Sequence, residues 1–377
     1  MVNYAVILIP LIFSLLILSP TLSHSDFGTE SHLPYWYYND AKWWSEGKLS
    51  DEKFLSSIIL ILNESGTLTN SGENEIPSWL STVGSWLSTY QINHNEYKLL
   101  INHLHSKQIL KVSEPLISKT LQDYSFDSFP LIQTFEKDVS LFNVGNYAKD
   151  KVFFNDGTNN FRFLDIQFGF KPENTLKYES LRNSSNSVVI SPTLTYTAYT
   201  EPGFYTYYRG ECDESCVTNV PINYNKPLDY PASTLALNIL HMLDYPIITD
   251  IDVDQNPKIL EKYDKVIMLH SEYVSQSMFE SVTNHQNVVY LYPNALYAEV
   301  KIDYETDTVT LIRGHDYPPD DPVSNGFDWE YDNTYDEYDV ECVDWEFKKI
   351  PNGHMLNCWP AFMMYSDTLL LKTLNDL

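Results

Sequence analysis

His270 and Glu272 stand two residues apart in His270-Ser271-Glu272-Tyr273, directly after the apolar run 265–269. An imidazole and a carboxylate leaving one strand end can face a single pocket. There the carboxylate can hold a cation while the imidazole moves protons near neutral pH. The same residues also suit the opening of a helix, with Glu272 favouring the N-terminal dipole and His270 bonding a backbone carbonyl. Phenols gather upstream, in Thr195-Tyr196-Thr197-Ala198-Tyr199-Thr200 and Gly203-Phe204-Tyr205-Thr206-Tyr207-Tyr208, and Asn294 follows the run 287–292.

These residues need a scaffold that brings strand ends together. From 187 onward the pattern alternates: strand at 188–190, a long aromatic loop, helix at 233–243, strand at 246–251, short helix at 257–262, strand at 265–269, helix at 275–283 and strand at 287–292. That order predicts an α/β domain over 187–377 with a mostly parallel, flavodoxin-like sheet. In such sheets ligands bind beyond the carboxyl ends of the strands, where the residues above fall. Segments 298–302 and 308–312 predict an antiparallel pair, and the acidic, aromatic stretch 316–347 a long loop or insert.

The N-terminal part repeats itself. Leu33-Pro34-Tyr35-Trp36 recurs as Ile76-Pro77-Ser78-Trp79, and the same offset of 43 maps Trp43 onto Trp86, Phe54 onto Tyr97 and Ile58 onto Ile101. Each copy predicts two short helices, giving a small all-α tandem module over 33–110. Pro34 and Pro77 mark helix starts, and Ser50-Asp51-Glu52 and 93–96 supply caps. His103 and His105 do not share a helix face and are expected to be solvated, not metal ligands. Residues 111–186 predict a connector or small β element. Residues 1–25 carry no Lys, Arg, Asp or Glu and end in Ser23-His24-Ser25, the layout of a signal peptide, so the chain is expected outside the cytoplasmic membrane or at the cell surface. Membrane contact is expected only through an uncleaved signal. A net charge of −27 excludes nucleic acid as a partner.

Two resemblances follow from the motifs. Leu33-Pro34-x-Trp36, Ala41-Lys42-Trp43-Trp44, Gly47-Lys48-Leu49-Ser50-Asp51 and Phe54 resemble a tandem module of archaeal cell-surface and secreted proteins. Thr195-x-x-Ala198-Tyr199, Thr249-Asp250-Ile251-Asp252, Pro257, Leu260, Tyr263, His270-x-Glu272-Tyr273-x-Ser275 and Asn294 resemble the C-terminal domain of the N,N-dimethylformamidase large subunit. That resemblance implies a fold related to class I glutamine amidotransferases and a mononuclear iron on two tyrosinates and one glutamate, with an essential histidine nearby. Carried over, it implies Glu272 and Tyr199 as iron ligands and His270 as the proton-transfer residue. It implies a second tyrosinate at Tyr224 or Tyr230, with Tyr230 preferred, and a late catalytic glutamate at Glu330. The sequence departs from the family at Val274 and Thr200, where the family has Trp and Asn. Phenolate and carboxylate are hard donors that suit a trivalent iron, which polarises an amide carbonyl and acidifies bound water. A glutamine amidotransferase would need a nucleophilic Cys after a strand, and none stands there.

Two functions from different classes fit: a metal-dependent hydrolase of amide or related C–N bonds, and a non-enzymatic surface or binding protein on the same scaffold, its small-molecule or surface partner undefined. They differ in whether Tyr199, His270 and Glu272 converge. Asp250-x-Asp252-x-Asp254-x-Asn256 mimics a calcium loop, but Gln255 stands where Gly is needed, so a structural role is expected. The four cysteines, Cys212, Cys216, Cys342 and Cys358, allow three pairings, of which the local pairs 212–216 and 342–358 are preferred. The mature protein should therefore hold no free thiol. Thiol titration under denaturing, non-reducing conditions should find none, and two or more reactive groups would contradict the pairing.

Overall fold

Asn93 opens a helix with a reciprocal cap. Its side chain accepts from the Glu96 N–H at 2.9 Å, and the Glu96 carboxylate accepts from the Asn93 N–H at 3.1 Å. That helix is the last of four, α1 (Tyr35–Ser45), α2 (Asp51–Glu64), α3 (Leu80–Ser88) and α4 (His94–Ser106); α1 and α3 begin without a side-chain cap. The structure, a computed structural model, describes residues 33–64, 74–112, 141–146, 153–155, 161–163, 166–224, 233–360 and 363–377. The expected signal segment 1–25, most of the connector and Tyr230 lie outside the described residues.

The 43-residue offset reappears in the geometry. Phe54 and Tyr97, Ile58 and Ile101, and Ile61 and Leu104 are all fully buried. Helix α1 ends on Gly47 at φ +76°, and α3 ends on Tyr90, its counterpart, at φ +58°. The Lys48 and Leu49 N–H groups both donate to the Trp43 carbonyl, as Gln91 and Ile92 do to the Trp86 carbonyl. One expectation fails here: His105 is only 1% exposed, and its Nδ1 lies 3.2 Å from the Leu110 carbonyl oxygen. The chain after α4 folds back over that face of the helix, so only His103 is solvated.

Short antiparallel pairs follow, β1 (Phe142–Asn146) with β4 (Ile166–Phe170) and β2 (Phe153–Asn155) with β3 (Phe161–Phe163), then α5 (Thr175–Leu181). The remaining strands are β5 (Ser187–Ser191), β6 (Val220–Pro221), β7 (Ile247–Thr249), β8 (Lys265–Met268), β9 (Tyr273–Ser275), β10 (Val288–Tyr290), β11 (Ala298–Asp303), β12 (Thr308–Arg313), β13 (Phe347–Ile350) and β14 (Gly353–Leu356). Between them run α6 (Thr193–Ala198), α7 (Phe204–Tyr208), α8 (Thr234–Met242), α9 (Asp250–Gln255) and α10 (Gln276–Thr283), and α11 (Met363–Ser366) and α12 (Thr368–Asp376) close the chain.

The main sheet has six strands in the order β13-β14-β10-β8-β5-β7, all parallel except the edge strand β13. Taken in chain order, its five parallel strands lie 2-1-3-4-5, the flavodoxin-like arrangement, with the order reversing between β5 and β8. Strands β5, β8 and β10 are buried along their whole length, which explains their continuous apolar runs. Even Lys265 is buried, its ammonium donating to the Leu374 and Asn375 carbonyls at the end of α12. A second sheet, β6-β12-β11-β9, contains the expected antiparallel pair and adds β9 in parallel. Helices α1 to α4 pack into the apolar cluster on this second sheet, with Leu194, Phe204, Tyr273, Val300 and Leu311 in the same core.

The segment after β5 is not an aromatic loop: two short helices, α6 and α7, take its place. The Thr197 hydroxyl bonds back to the Thr193 carbonyl at 2.9 Å and so is satisfied inside the helix. The run 246–251 is strand only to Thr249, because Thr249 caps α9 through the Asp252 N–H. The calcium-like carboxylates separate accordingly. Asp250 is buried, Asp252 pairs with Lys42 at 3.1 Å, and Asp254 accepts from the Tyr304 hydroxyl at 2.6 Å. Strands β13 and β14 and the two closing helices were not expected from the pattern.

Gly353 starts β14 at φ +153°, where a Cβ would sit 1.9 Å from the Val288 carbonyl oxygen of β10. Gly353→Ala must therefore part the two parallel strands. It should cost on the order of 3 kcal/mol, read as a lowered urea midpoint at unchanged m-value. A midpoint equal to that of the parent would refute this register.

Candidate functional site

Glu272 stands where the chain leaves one sheet for the other, since β8 ends at Met268 and β9 begins at Tyr273. Backbone bonds pin this crossing. His270 N–H donates to Ser233 Oγ at 3.1 Å, and Tyr273 N–H donates to Thr195 Oγ1 at 3.1 Å. The Leu296 N–H donates to the Ser271 carbonyl at 2.9 Å, and those of Tyr297 and Ala298 both donate to the Glu272 carbonyl, at 3.0 and 2.8 Å. A helix start at Glu272, the alternative reading of this segment, is excluded: α10 begins only at Gln276, capped by the Ser275 hydroxyl.

Facing the crossing is the end of α6. The buried Asp250 carboxyl accepts from Leu194 N–H at 2.7 Å and from Ile251 N–H at 2.9 Å, fixing where α6 begins. Tyr199 is its C-cap, and the turn at 200–203 brings α7 back so that the Tyr199 and Tyr205 rings stack with centroids 4.0 Å apart. Both phenols reach the same carboxylate. Tyr199 donates to Glu272 Oε2 at 2.8 Å, and the Tyr205 hydroxyl lies 2.6 Å from that of Tyr199 and 3.0 and 3.2 Å from Oε1 and Oε2.

His270 Nε2 lies 3.7 Å from Glu272 Oε2, and the His270 ring meets Trp359 edge-on at 4.7 Å. Asn294 lies near both Glu272 and Glu337 and pulls both carboxyls down, while its own amide oxygen accepts from the Thr334 hydroxyl at 3.3 Å. Among the described residues, the ion-pair contacts of Glu272 are with histidines, His270 and His315, and not with Lys or Arg. Burial pushes the Glu272 carboxyl up to about 7, against hydrogen bonds from Tyr199, Tyr205 and Asn294 that pull it down. Burial, then the charge of Glu272, raises both Tyr199 and Tyr205 far above the usual phenol value. By itself this is a buried cluster of oxygens that keep their protons.

The structure thus brings together Tyr199, His270 and Glu272. It does not bring Glu330, which is exposed on the loop after Gly326. Tyr224 is likewise elsewhere, donating to Asp307 at 2.9 Å with its ring against Trp43. The second phenol at Glu272 is Tyr205, and the late glutamate near it is Glu337. Tyr205, six residues after Tyr199, was legible in part, because the Pro202-Gly203 turn between them doubles the chain back. Nothing local marks Glu337 or His315, which arrive through the second sheet and the acidic insert. Cys212 is bonded to Cys216 and Cys342 to Cys358, with no free cysteine among the described residues.

An α/β domain with a carboxylate–phenol cluster at its strand-order reversal is the class that fold and site define. Residues 167–337 match a family described as N,N-dimethylformamidase beta subunit-like, C-terminal. That span contains every residue of the cluster and leaves out α1 to α4, β13 and β14. No curated protein matches the chain.

Asp250 offers a test of how α6 is held. Burial raises its carboxyl to about 7, from 3.8. Between those values the folded protein keeps a proton that the unfolded chain has lost, so this group's contribution to stability falls as pH rises from about 4 to 7. Asp250→Asn should flatten that fall relative to the parent by up to about 4 kcal/mol. Urea unfolding across that range measures it, and parallel profiles would show that Asp250 is not the buried group.

Proposed function

We propose that the chain is an exported protein whose α/β domain holds iron(III) on Tyr199, Tyr205 and Glu272 and hydrolyses amide or related C–N bonds. What carries the reading is one observation: three hard oxygen donors, from two half-buried phenols and a buried carboxylate, lie 2.6 to 3.2 Å from one another. Donors around one ion at bonds of about 2 Å stand about 3 Å apart, so the donor set fits a single cation. Among the described residues no group of three His, Cys, Asp or Glu could hold a metal, so the proposed set depends on its two phenols. The hydroxyl of Ser271, the residue before Glu272 in the chain, is buried without a hydrogen-bond partner among the described residues. The similarity to the N,N-dimethylformamidase family over residues 167–337 supports the same chemistry.

When bound, iron would polarise a substrate carbonyl and acidify water. The protein's own contribution is positional. The phenols and carboxylate bind, and their burial excludes bulk water. His270, buried 3.7 Å from Glu272 Oε2, accepts a proton from the attacking water and passes it to the leaving amine. The paired cysteines support work outside the cytoplasm, and no helix among the described residues is long and apolar enough to cross a membrane.

Metal analysis and an assay of N,N-dimethylformamide and simple formamides test the reading. Glu272→Ala should lose both iron and hydrolysis, each by at least about tenfold, the scale of losing a metal-site group. His270→Ala should keep the iron and lose only hydrolysis. Iron retained in Glu272→Ala would end the assignment, and equal iron loss in both variants would make His270 a ligand.

A further inference from the structure

Glu272 has a histidine beside each carboxylate oxygen. His270 Nε2 is 3.7 Å from Oε2, and His315 Nε2 is 3.7 Å from Oε1. The two imidazoles live in different surroundings. His270 is fully buried with its ring edge-on to Trp359. His315 lies at the mouth, its side chain 31% exposed, on the turn that follows β12.

That turn is built to hold the His315 ring in one place. Its N–H donates to the Ser324 carbonyl at 2.8 Å, and the residue sits at φ +56°, a left-handed conformation that a non-glycine residue adopts at a cost. The ring stacks on Tyr208 with centroids 4.2 Å apart and meets Tyr205 edge-on at 5.7 Å and Tyr297 at 6.0 Å. An imidazole is thereby aimed at the oxygen that also faces Tyr205, on the side of the carboxylate that opens to solvent.

We infer that His315 is a fourth protein donor to the cation held by Tyr199, Tyr205 and Glu272. The inference rests on the proposed iron site. Neighbouring ligands around one ion at bonds of about 2.0–2.1 Å are separated by about 2.9–3.4 Å, so an approach of a few tenths of an ångström brings Nε2 into the set. Two phenolates and a carboxylate carry three negative charges, which balance a trivalent ion. A neutral imidazole adds a donor without upsetting that balance. It also ties the ion to β12, so that both sheets contribute ligands, and leaves His270 free of the metal to handle protons.

Iron-edge X-ray absorption on the full chain loaded with iron(III) tests this directly, because a bound imidazole gives its own outer-shell scattering. The pattern should be present in the parent and in His270→Ala and absent in His315→Asn. Asparagine is chosen because it tolerates positive φ; thermal melting of the metal-free variant checks folding, and His315→Gln repeats the test if it fails. Iron affinity in the folded variant should drop at least tenfold. Unchanged scattering and affinity in His315→Asn would overturn the inference while leaving the tyrosine–glutamate site standing. Scattering lost in His270→Ala instead would assign the imidazole to His270 and also overturn it. A parent protein that takes up no iron would overturn both readings.

Discussion

A carboxylate withdrawn from water sets the terms for everything around it. Glu272 is fully buried, and an isolated ionised carboxylate in such a place is so costly that the group takes a proton instead. Here the neighbours that answer it are two phenols and an amide, not a lysine or arginine. Phenols can donate to a carboxylate, but they cannot neutralise it. The pocket is therefore balanced in two ways: with protons retained on Glu272 and both tyrosines, or with those protons displaced by a small, highly charged cation. Under the proposed function, the second alternative would convert a desolvation cost into a binding site.

Holding that carboxylate in place demands an unusual backbone. The strand order reverses between β5 and β8, so the loops after these two strands diverge and leave a crevice at the sheet's carboxyl edge. Into it runs the crossing from β8 to β9, which carries His270 and Glu272 from one sheet into the other. Each sheet alone would leave one flank of the crossing in solvent. The apolar cluster that α1 to α4 share with Leu194, Ala198, Phe204 and Tyr273 closes the flank on the second sheet. Tyr199 and Tyr205 lean against the same cluster, so the N-terminal helices help support the wall that positions the phenols. Polar ties between Lys42 and Asp252, and between Lys48 and Asp307, fix the helices to both sheets.

How much of this could be read in advance followed from the range of the interactions. The parallel sheet was legible because β5, β8 and β10 are buried on both faces and so must be unbroken apolar runs. The convergence of Tyr199 with Glu272 was legible because both follow strand ends. Tyr205 is not singled out in the sequence, because the segment after β5 reads there as a loop and not as two short helices; Tyr230 lies outside the described residues. Without that doubling back, a phenol six residues away has no reason to meet the first. Strands β13 and β14 are short and half polar, yet Ile350-Pro351-Asn352-Gly353 carried a usable turn signal, with Gly at the position where β10 leaves no room for a side chain. His105 was misread because its burial depends on where the chain goes after the helix, which no helical period encodes. His315 and Glu337 depend on how one sheet docks on another, information that exists only in the assembled core.

The two disulfides follow the same logic of support. Cys212–Cys216 closes the turn after α7, and Cys342–Cys358 joins the acidic insert to the segment after β14. On loop-closure grounds a bridge spanning 4 residues contributes about 2 kcal/mol at most and one spanning 16 about 3 kcal/mol. Their placement matters more than that. Residue 358 precedes Trp359, whose backbone N–H donates to the Asp339 carbonyl at 2.8 Å and whose ring bears on His270. The insert is rich in carboxylates; its first part packs Phe327, Trp329 and Tyr331 on the core, whereas Tyr335, Tyr338 and Val343 further on are exposed. Both cysteines and Trp359 are buried in one apolar cluster, so the covalent tie adds to that packing and, through Trp359, limits the freedom of the His270 ring buried beside Glu272.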